Sequence, residues 1–273
     1  MSESYDRYRR DLWRDKAEAY RRSFASLCAH PVPLLLDAVR AAAGSRVADV
    51  GCGTGSVSAA AAARGAAVTA IDAEPGMVRA TASRLPGVRP VIGALPDLPL
   101  RTAGFDAVVA NFVVNHVARP AAAVAELRRV ARPGGRVGVT VWPQPAPPLQ
   151  RLWDEVIAAA GVTRPVTPAP ATADDFPRTR DGLADLLREA GLTDVDPRTV
   201  AWEHRVDPEL WWSGAAAGLA SIGHVVARQD ADTVARMKAA YDRLAGAHLD
   251  SAGRLCLPTS ALLAAGTVPA TDR

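Results

Sequence analysis

From residue 46 onward the apolar positions fall into a repeating rhythm. Short β-branched runs at Arg46 to Val50, Ala67 to Ile71, Val88 to Ile92, Phe105 to Ala110 and Arg136 to Val141 alternate with alanine-rich stretches. Those stretches, Ser56 to Arg64, Pro75 to Arg84 and Pro120 to Val130, have helical length and composition. Strands separated by helices, with runs too apolar to be wetted on one side, predict a doubly wound α/β fold with a parallel sheet covered on both faces.

The flanks carry a different pattern. Tyr8, Leu12, Trp13, Lys16, Tyr20, Phe24 and Leu27 recur mostly at steps of three and four, which predicts one amphipathic helix over residues 5 to 27 bearing an aromatic stripe. A second helix through Leu34, Leu35, Ala38 and Val39 is expected to stop at Gly44. Beyond Trp142, the proline-dense breaks Pro143 to Pro148 and Arg164 to Pro170 bracket a helix around Leu152 to Ala160. A helix from Leu183 to Ala190 leads to a strand within Val195 to Val206. Asp207-Pro208-Glu209 then supplies an N-cap, a first-turn proline and an acid for a helix through Leu210 to Ile222. A helix from Thr233 to Ala247 and a strand or strand pair in Gly253 to Thr267 complete the reading. The organisation expected is a single domain over 1–273, with cap elements 1–35, 143–178 and 207–250 on a core of 36–142.

Composition narrows the classes. Apolar residues at 49% and charged residues at 22% are ordinary globular usage, which excludes disordered and fibrous classes. The first thirty residues hold Arg7, Arg9, Arg10, Asp11, Arg14, Asp15 and Lys16 without an apolar run, so neither a signal nor a transit peptide is expected. No apolar stretch reaches about 18 residues. The expected setting is cytoplasmic, with no membrane. Cys28, Cys52 and Cys256 are odd in number and far apart, which points to reduced thiols rather than a disulfide framework or a metal site. The net charge of +3 comes from arginines interleaved with acids, so no nucleic-acid partner is expected.

The chemistry-bearing segment is Asp49-Val50-Gly51-Cys52-Gly53-Thr54-Gly55, which ends the first strand and opens a helix. Bare backbone at a strand's carboxyl end is where such sheets bind ligands. The spacing is Gly-x-Gly-x-Gly, and Ser56 stands where a dinucleotide fingerprint has its third glycine, which disfavours a pyrophosphate cradle. Asp49 would repel a phosphate but suits an ammonium. Asp72, ending the second strand about 20 residues beyond the glycines, is placed to accept from ribose hydroxyls. A ribose, a cationic amino-acid end and no phosphate describe S-adenosylmethionine.

With these residues the sequence resembles the class I methyltransferase family. The likeness rests on Val47 to Gly55, Asp72-Ala73-Glu74-Pro75-Gly76-Met77, Phe105-Asp106-Ala107-Val108 and Leu127-Arg128-Arg129-Val130 followed by Arg132-Pro133-Gly134-Gly135-Arg136. The resemblance implies a seven-stranded, mostly parallel Rossmann-like sheet and S-adenosylmethionine as cofactor. It places Gly51, Gly53 and Gly55 under the methionine and ribose, Asp72 on the ribose, Met77 on the adenine, and Asn111, with Phe112 beside it, at the methionine end. Where many relatives carry an aspartate for the adenine amino group, Gly93-Ala94-Leu95 puts alanine, leaving backbone at Ala94 and packing by Leu95.

Twelve of the fourteen aromatic residues lie outside residues 36 to 135. These rings, with Trp13, Tyr20, Trp142 and Trp211 foremost, either wall a substrate pocket or pin the cap to the sheet. His116, just after the fourth strand, is the candidate general base; the other reading is a first-turn residue beside the cofactor without proton chemistry. His224 in the cap is a second candidate. No Asn/Asp-Pro-Pro-aromatic tetrad follows the fourth strand, where Asn111-Phe112-Val113-Val114 stands, which in the resembled family speaks against base or glutamine methylation. The expected function is methyl transfer to an O, N or C atom of a small metabolite, with specialised biosynthesis as a setting. The alternative is a cofactor-binding protein of the same fold catalysing a non-methylating reaction such as a cyclisation.

Overall fold

The computed structural model describes residues 2–171 and 174–270, so two residues of the expected 143–178 cap segment lie outside the described residues. A seven-stranded sheet in the order β3-β2-β1-β4-β5-β7-β6 forms its centre. Its strands are β1 (Arg46–Val50), β2 (Ala67–Asp72), β3 (Arg89–Ile92), β4 (Phe105–Asn111), β5 (Ala131–Val141), β6 (Thr193–Val206) and β7 (Leu255–Thr267). Strands β1 to β5 run parallel, while β7 is antiparallel to both of its neighbours. Val47, Ala48, Val108, Val109, Val137 and Val139 are fully buried, as expected of strands covered on both faces. Strand order reverses between β1 and β4, so the crevice at their carboxyl ends is the ligand-binding place of this topology.

Helices α4 (Val32–Ala38), α5 (Ser56–Ala63), α6 (Pro75–Arg84), α7 (Pro120–Val130) and α9 (Arg180–Glu189) cover the sheet. Their starts follow the sequence. Glu74 caps α6 by accepting from Met77 N at 2.8 Å, and Thr179 Oγ1 accepts from Gly182 N at the start of α9. Strand β7 pairs with β5 only from Leu262 onward, whereas its earlier half pairs with β6 alone as a ribbon extending past the sheet. On this ribbon sits a second apolar cluster built from α8 (Pro148–Ala159), α10 (Pro208–Ala216), α11 (Ala220–Val226) and α12 (Ala231–Gly246), joined by Phe24 and Leu27. Among the described residues no helix is long and apolar enough to cross a membrane, and no group of three or more His, Cys, Asp or Glu is placed to hold a metal.

Two expected helices are broken. Residues 5 to 27 form not one helix but α1 (Ser2–Asp11), α2 (Ala17–Arg22) and α3 (Ala25–Ala29), with Asp15 in the left-handed region at φ 58°. The stripe is divided because Trp13 and Tyr20 turn edge to face, 5.7 Å between centroids, to cover the end of the sheet. A straight helix would project them along one line. The span from Leu210 to Ile222 is likewise interrupted between α10 and α11, where Gly218 and Ala220 take φ of 78° and 56°. The Gly218 carbonyl accepts from Lys16 Nζ, a partner 202 residues distant that no local pattern announces. The helix expected to stop at Gly44 ends earlier, with Arg40 at φ 55°.

Candidate active site

The glycine turn is held from three sides. Gly51, Gly53 and Gly55 have φ of 71°, 54° and 88°, conformations that L side chains rarely adopt. Gly51 also has no room: a Cβ there would stand 2.2 Å from Val113 Cγ2. Gly51 N and Cys52 N both donate to the Ile71 carbonyl, which ties the turn to β2. From α6, Thr81 Oγ1 donates to the Gly53 carbonyl at 2.9 Å and Arg84 Nη1 to the Thr54 carbonyl at 2.8 Å.

Asp72 stands at the tip of β2. Its Oδ2 accepts from Gly53 N and its Oδ1 from Glu74 N, both at 2.9 Å. Each oxygen keeps a lone pair for a further donor. Burial raises the Asp72 pKa and the two backbone donors lower it, with a net upward shift. Asp49 lies deeper, fully buried. Its Oδ2 accepts from Ser58 Oγ at 2.6 Å while its Oδ1 has no donor. Burial pushes its pKa up to about 7, against the pull of Ser58. The site therefore holds one bound carboxylate at its rim and one under-satisfied carboxyl beneath its floor.

The other sequence candidates divide. Met77 is buried at the start of α6, its N–H held by Glu74. Ala94 sits in a short bridge with Asp97, and Leu95 is buried in the central cluster. Asn111 is committed on both ends of its amide: Nδ2 donates to the Cys28 carbonyl at 2.8 Å and Oδ1 accepts from Thr140 Oγ1 at 2.6 Å. It joins β4 to the N-terminal segment. Phe112, at φ 58°, stacks on Trp142 with centroids 3.9 Å apart. Trp211 is only 2% exposed, packed on Phe24 inside the cap cluster, with its indole N–H unpartnered.

Trp13, Tyr20 and His116 come together over the turn. The Tyr20 ring lies 3.4 Å from where a Cβ on Gly53 would be. Trp13 meets Tyr20 on one side and the His116 ring, 5.9 Å away and edge-on, on the other. Burial, with Cys28 beside it, holds the Tyr20 phenol well above its ordinary pKa. His116 ends a short 3₁₀ turn, Val114–His116. Its Nδ1 meets Arg9 Nη2, and its Nε2 lies 3.2 Å from the Asn115 amide, whose Oδ1 is buried without a donor. With Arg9 Nη2 on it, Nδ1 is the ring nitrogen that serves as acceptor. His224 lies on α11 with its ring edge-on to Tyr8 and its Nδ1 2.6 Å from Arg228 Nη1.

Sequence reasoning did not find Arg9, Asp6, Thr81 or Arg84. Asp6 Oδ1 accepts from Ala118 N, and so fastens α1 beside His116. Thr81 and Arg84 lie within a predicted helix one turn apart, but which face meets the glycine turn is set by packing. For Arg9 the sequence carries no signal, since its partner is 107 positions away.

The chain matches the methyltransferase domain family over residues 48–139, the stretch that carries β1 to β5 and the glycine turn. It is 33% identical over 175 residues to a demethylmenaquinone methyltransferase of Clavibacter sepedonicus, covering 60% of this chain and 71% of that one. A ubiquinone biosynthesis O-methyltransferase of Xylella fastidiosa is 36% identical over 156 residues, 55% of this chain and 61% of that one. Among solved structures, the YcgJ protein of Bacillus subtilis superimposes with a TM-score of 0.57 at 17% identity, over 88% of this chain and 98% of that one. By its sequence relatives and its sheet order alike, the chain belongs to the class I S-adenosylmethionine-dependent methyltransferase family.

Proposed function

We propose that this methyltransferase binds S-adenosylmethionine in the crevice of β1, β2 and β4 and transfers its methyl group to an O, N or C atom of a small metabolite. The observation that carries the cofactor reading is Asp72, held by Gly53 N at the tip of β2 with lone pairs to spare for a ribose diol. The donor set fits in a second respect. Asp49 Oδ1, buried without a partner, suits a ligand that brings an ammonium. The relatives named demethylmenaquinone methyltransferase and ubiquinone biosynthesis O-methyltransferase support a small acceptor.

The bound cofactor supplies an activated methyl on a sulfonium, so the chain's own tasks are alignment and exclusion of water. Gly51 and Gly53 keep the floor free of Cβ atoms, and Met77 with Leu95 offers apolar walls for the base. Tyr20 and Trp13 cover the turn from outside, and the stacked Phe112 and Trp142 close the β4/β5 side. For a hydroxyl or ammonium acceptor, His116 is the candidate base. Its Nδ1 takes a proton only once Arg9 Nη2 withdraws from it.

Calorimetry with S-adenosylhomocysteine tests the reading. The wild-type chain is expected to bind with a dissociation constant below ~100 µM, and Asp72→Ala to weaken this by roughly 100-fold, as loss of charged hydrogen bonds to a diol does. Undiminished affinity in Asp72→Ala, or no binding by the wild type, sinks it.

A further inference from the structure

A cavity of about 320 Å³ opens beside His116, between α1, the proline-rich loop at 164–170 and α11. Tyr5, Tyr8 and Arg9 form one wall, with Arg164, Ser221 and His224 opposite, and prolines and Val225 complete it. Among the described residues the lining includes no aspartate or glutamate, while its polar groups are two guanidiniums, two phenols, two hydroxyls and an imidazole. Two of these are already engaged. Arg164 pairs with Asp154, and His224 Nδ1 is met by Arg228, its pKa lowered by burial and by the nearby cations Arg228 and Lys16.

Arg9 is different. Among the described residues no carboxylate lies within 4.0 Å of it, although sixteen other arginine or lysine contacts in the chain reach one. Of the acids near it on its own helix, Asp6 is spent on the Ala118 N–H and Asp11 on Arg14. Nη2 is on His116, and Nε is buried with no acceptor. Burial pulls the Arg9 pKa below its ordinary value. A buried guanidinium N–H without an acceptor is costly, and the fork geometry of arginine is matched by carboxylate and phosphate oxygens.

Resting on the methyl-transfer reading above, we propose that the acceptor is a small acid, and that this cavity binds its anionic group, carboxylate or phosphate, through Arg9. The volume admits about one ring and its acid substituent. The Tyr5 and Tyr8 rings supply apolar faces for that body, and their hydroxyls, with Ser221, supply neutral donors. A row of touching side chains runs from the cavity to the glycine turn. Arg9 touches His116, His116 meets Trp13, Trp13 meets Tyr20, and Tyr20 covers Gly53. The acid end is thus held one side chain away from the candidate base, and a group that reaches the methyl has to extend past His116.

The test uses the full chain loaded with S-adenosylhomocysteine and titrated by calorimetry with phenylacetate, 3-phenylpropionate and phenyl phosphate. The neutral comparators are phenylacetamide and 3-phenylpropionamide. At least one anion is expected to bind saturably below ~10 mM and at least tenfold more tightly than its neutral comparator or, for phenyl phosphate, than either amide. Binding by the carboxylates or by the phosphate ester identifies the source of the anionic group. Arg9→Gln is expected to remove the preference, Arg9→Lys to restore part of it, and the exposed Arg10→Gln to leave it intact. Amides binding as well as acids, no saturable anion binding, or a preference that survives Arg9→Gln overturns the proposal. Because cofactor loading is measured first, a chain that fails to bind S-adenosylhomocysteine defeats the functional reading instead, and one that binds it without preferring acids defeats only this inference.

Discussion

The two walls of the crevice are built in opposite ways. The glycine-turn wall draws on residues 49 to 84, and its bonds join Asp72 to Gly53, Thr81 to Gly53 and Arg84 to Thr54 across at most 30 positions. The N-terminal wall joins Arg9 to His116, Asp6 to Ala118, Cys28 to Asn111 and Lys16 to Gly218, across 83 to 202 positions. The first wall is backbone geometry with almost no freedom. The second is side chains from short helices laid over it, fastened by a few polar contacts. In the function proposed above, the fixed part holds the cofactor and the fastened part selects the acceptor.

Substitutions should separate the walls, and the largest effect is expected beneath the rigid one. Asp49 has a folded pKa of about 7, above its unfolded value. The stability it contributes is therefore fully present below about pH 4 and lost as pH rises to 7. This group alone lowers the unfolding free energy by about 1.4 kcal/mol per pH unit across that window, about 4 kcal/mol in total. Chemical denaturation at pH 5, 6 and 7 should show that slope in the wild type and its loss in Asp49→Asn. Because an ammonium at Oδ1 favours the ionised form, affinity for S-adenosylhomocysteine should also rise with pH and level off above 7.

Next in size is Gly51→Ala. A Cβ 2.2 Å from Val113 Cγ2, at a φ of 71°, combines overpacking with a left-handed penalty. Together these cost about 3 kcal/mol, read as a fall in melting temperature. An unchanged melting temperature would show the turn to be far softer than this comparison holds. Asp72→Ala comes third, at about 2 to 3 kcal/mol of cofactor binding, with a fall in melting temperature smaller than that of Gly51→Ala.

The smallest effect belongs to the fastened wall. Asn111→Ala removes the link from β4 to the Cys28 carbonyl and from Thr140 to Asn111 Oδ1. About 1 kcal/mol of stability is expected to go, with faster amide exchange confined to residues 16 to 30. Exchange that quickens equally around residues 49 to 55 would mean that the two walls are one unit.

Much of the sheet could be read from the sequence because its information is local. The β-branched runs of β1, β2 and β4 must be buried on both faces wherever they lie, and glycines 51, 53 and 55 mark a turn that other residues resist. The second-strand acid is legible for the same reason, since 19 positions connect Asp72 to Gly53 through a single strand-helix-strand unit. The N-terminal aromatic stripe was legible as amphipathic but not as three helices. Its apolar period is satisfied by a straight helix, and only the sheet end beneath it makes Trp13 and Tyr20 turn towards each other.

The amino-acid order by itself therefore determined the strand-helix alternation, the bare-backbone turn and the carboxylates beside it, because steric permission and burial act over a few residues. Tertiary structure alone decided that Asn111 fastens a helix and that, among the described residues, Arg9 meets His116 with no carboxylate in reach and a cavity without acids lies next to them. Those facts depend on which distant surfaces pack together, and an arginine's need for a partner becomes visible only when everything around it has been placed.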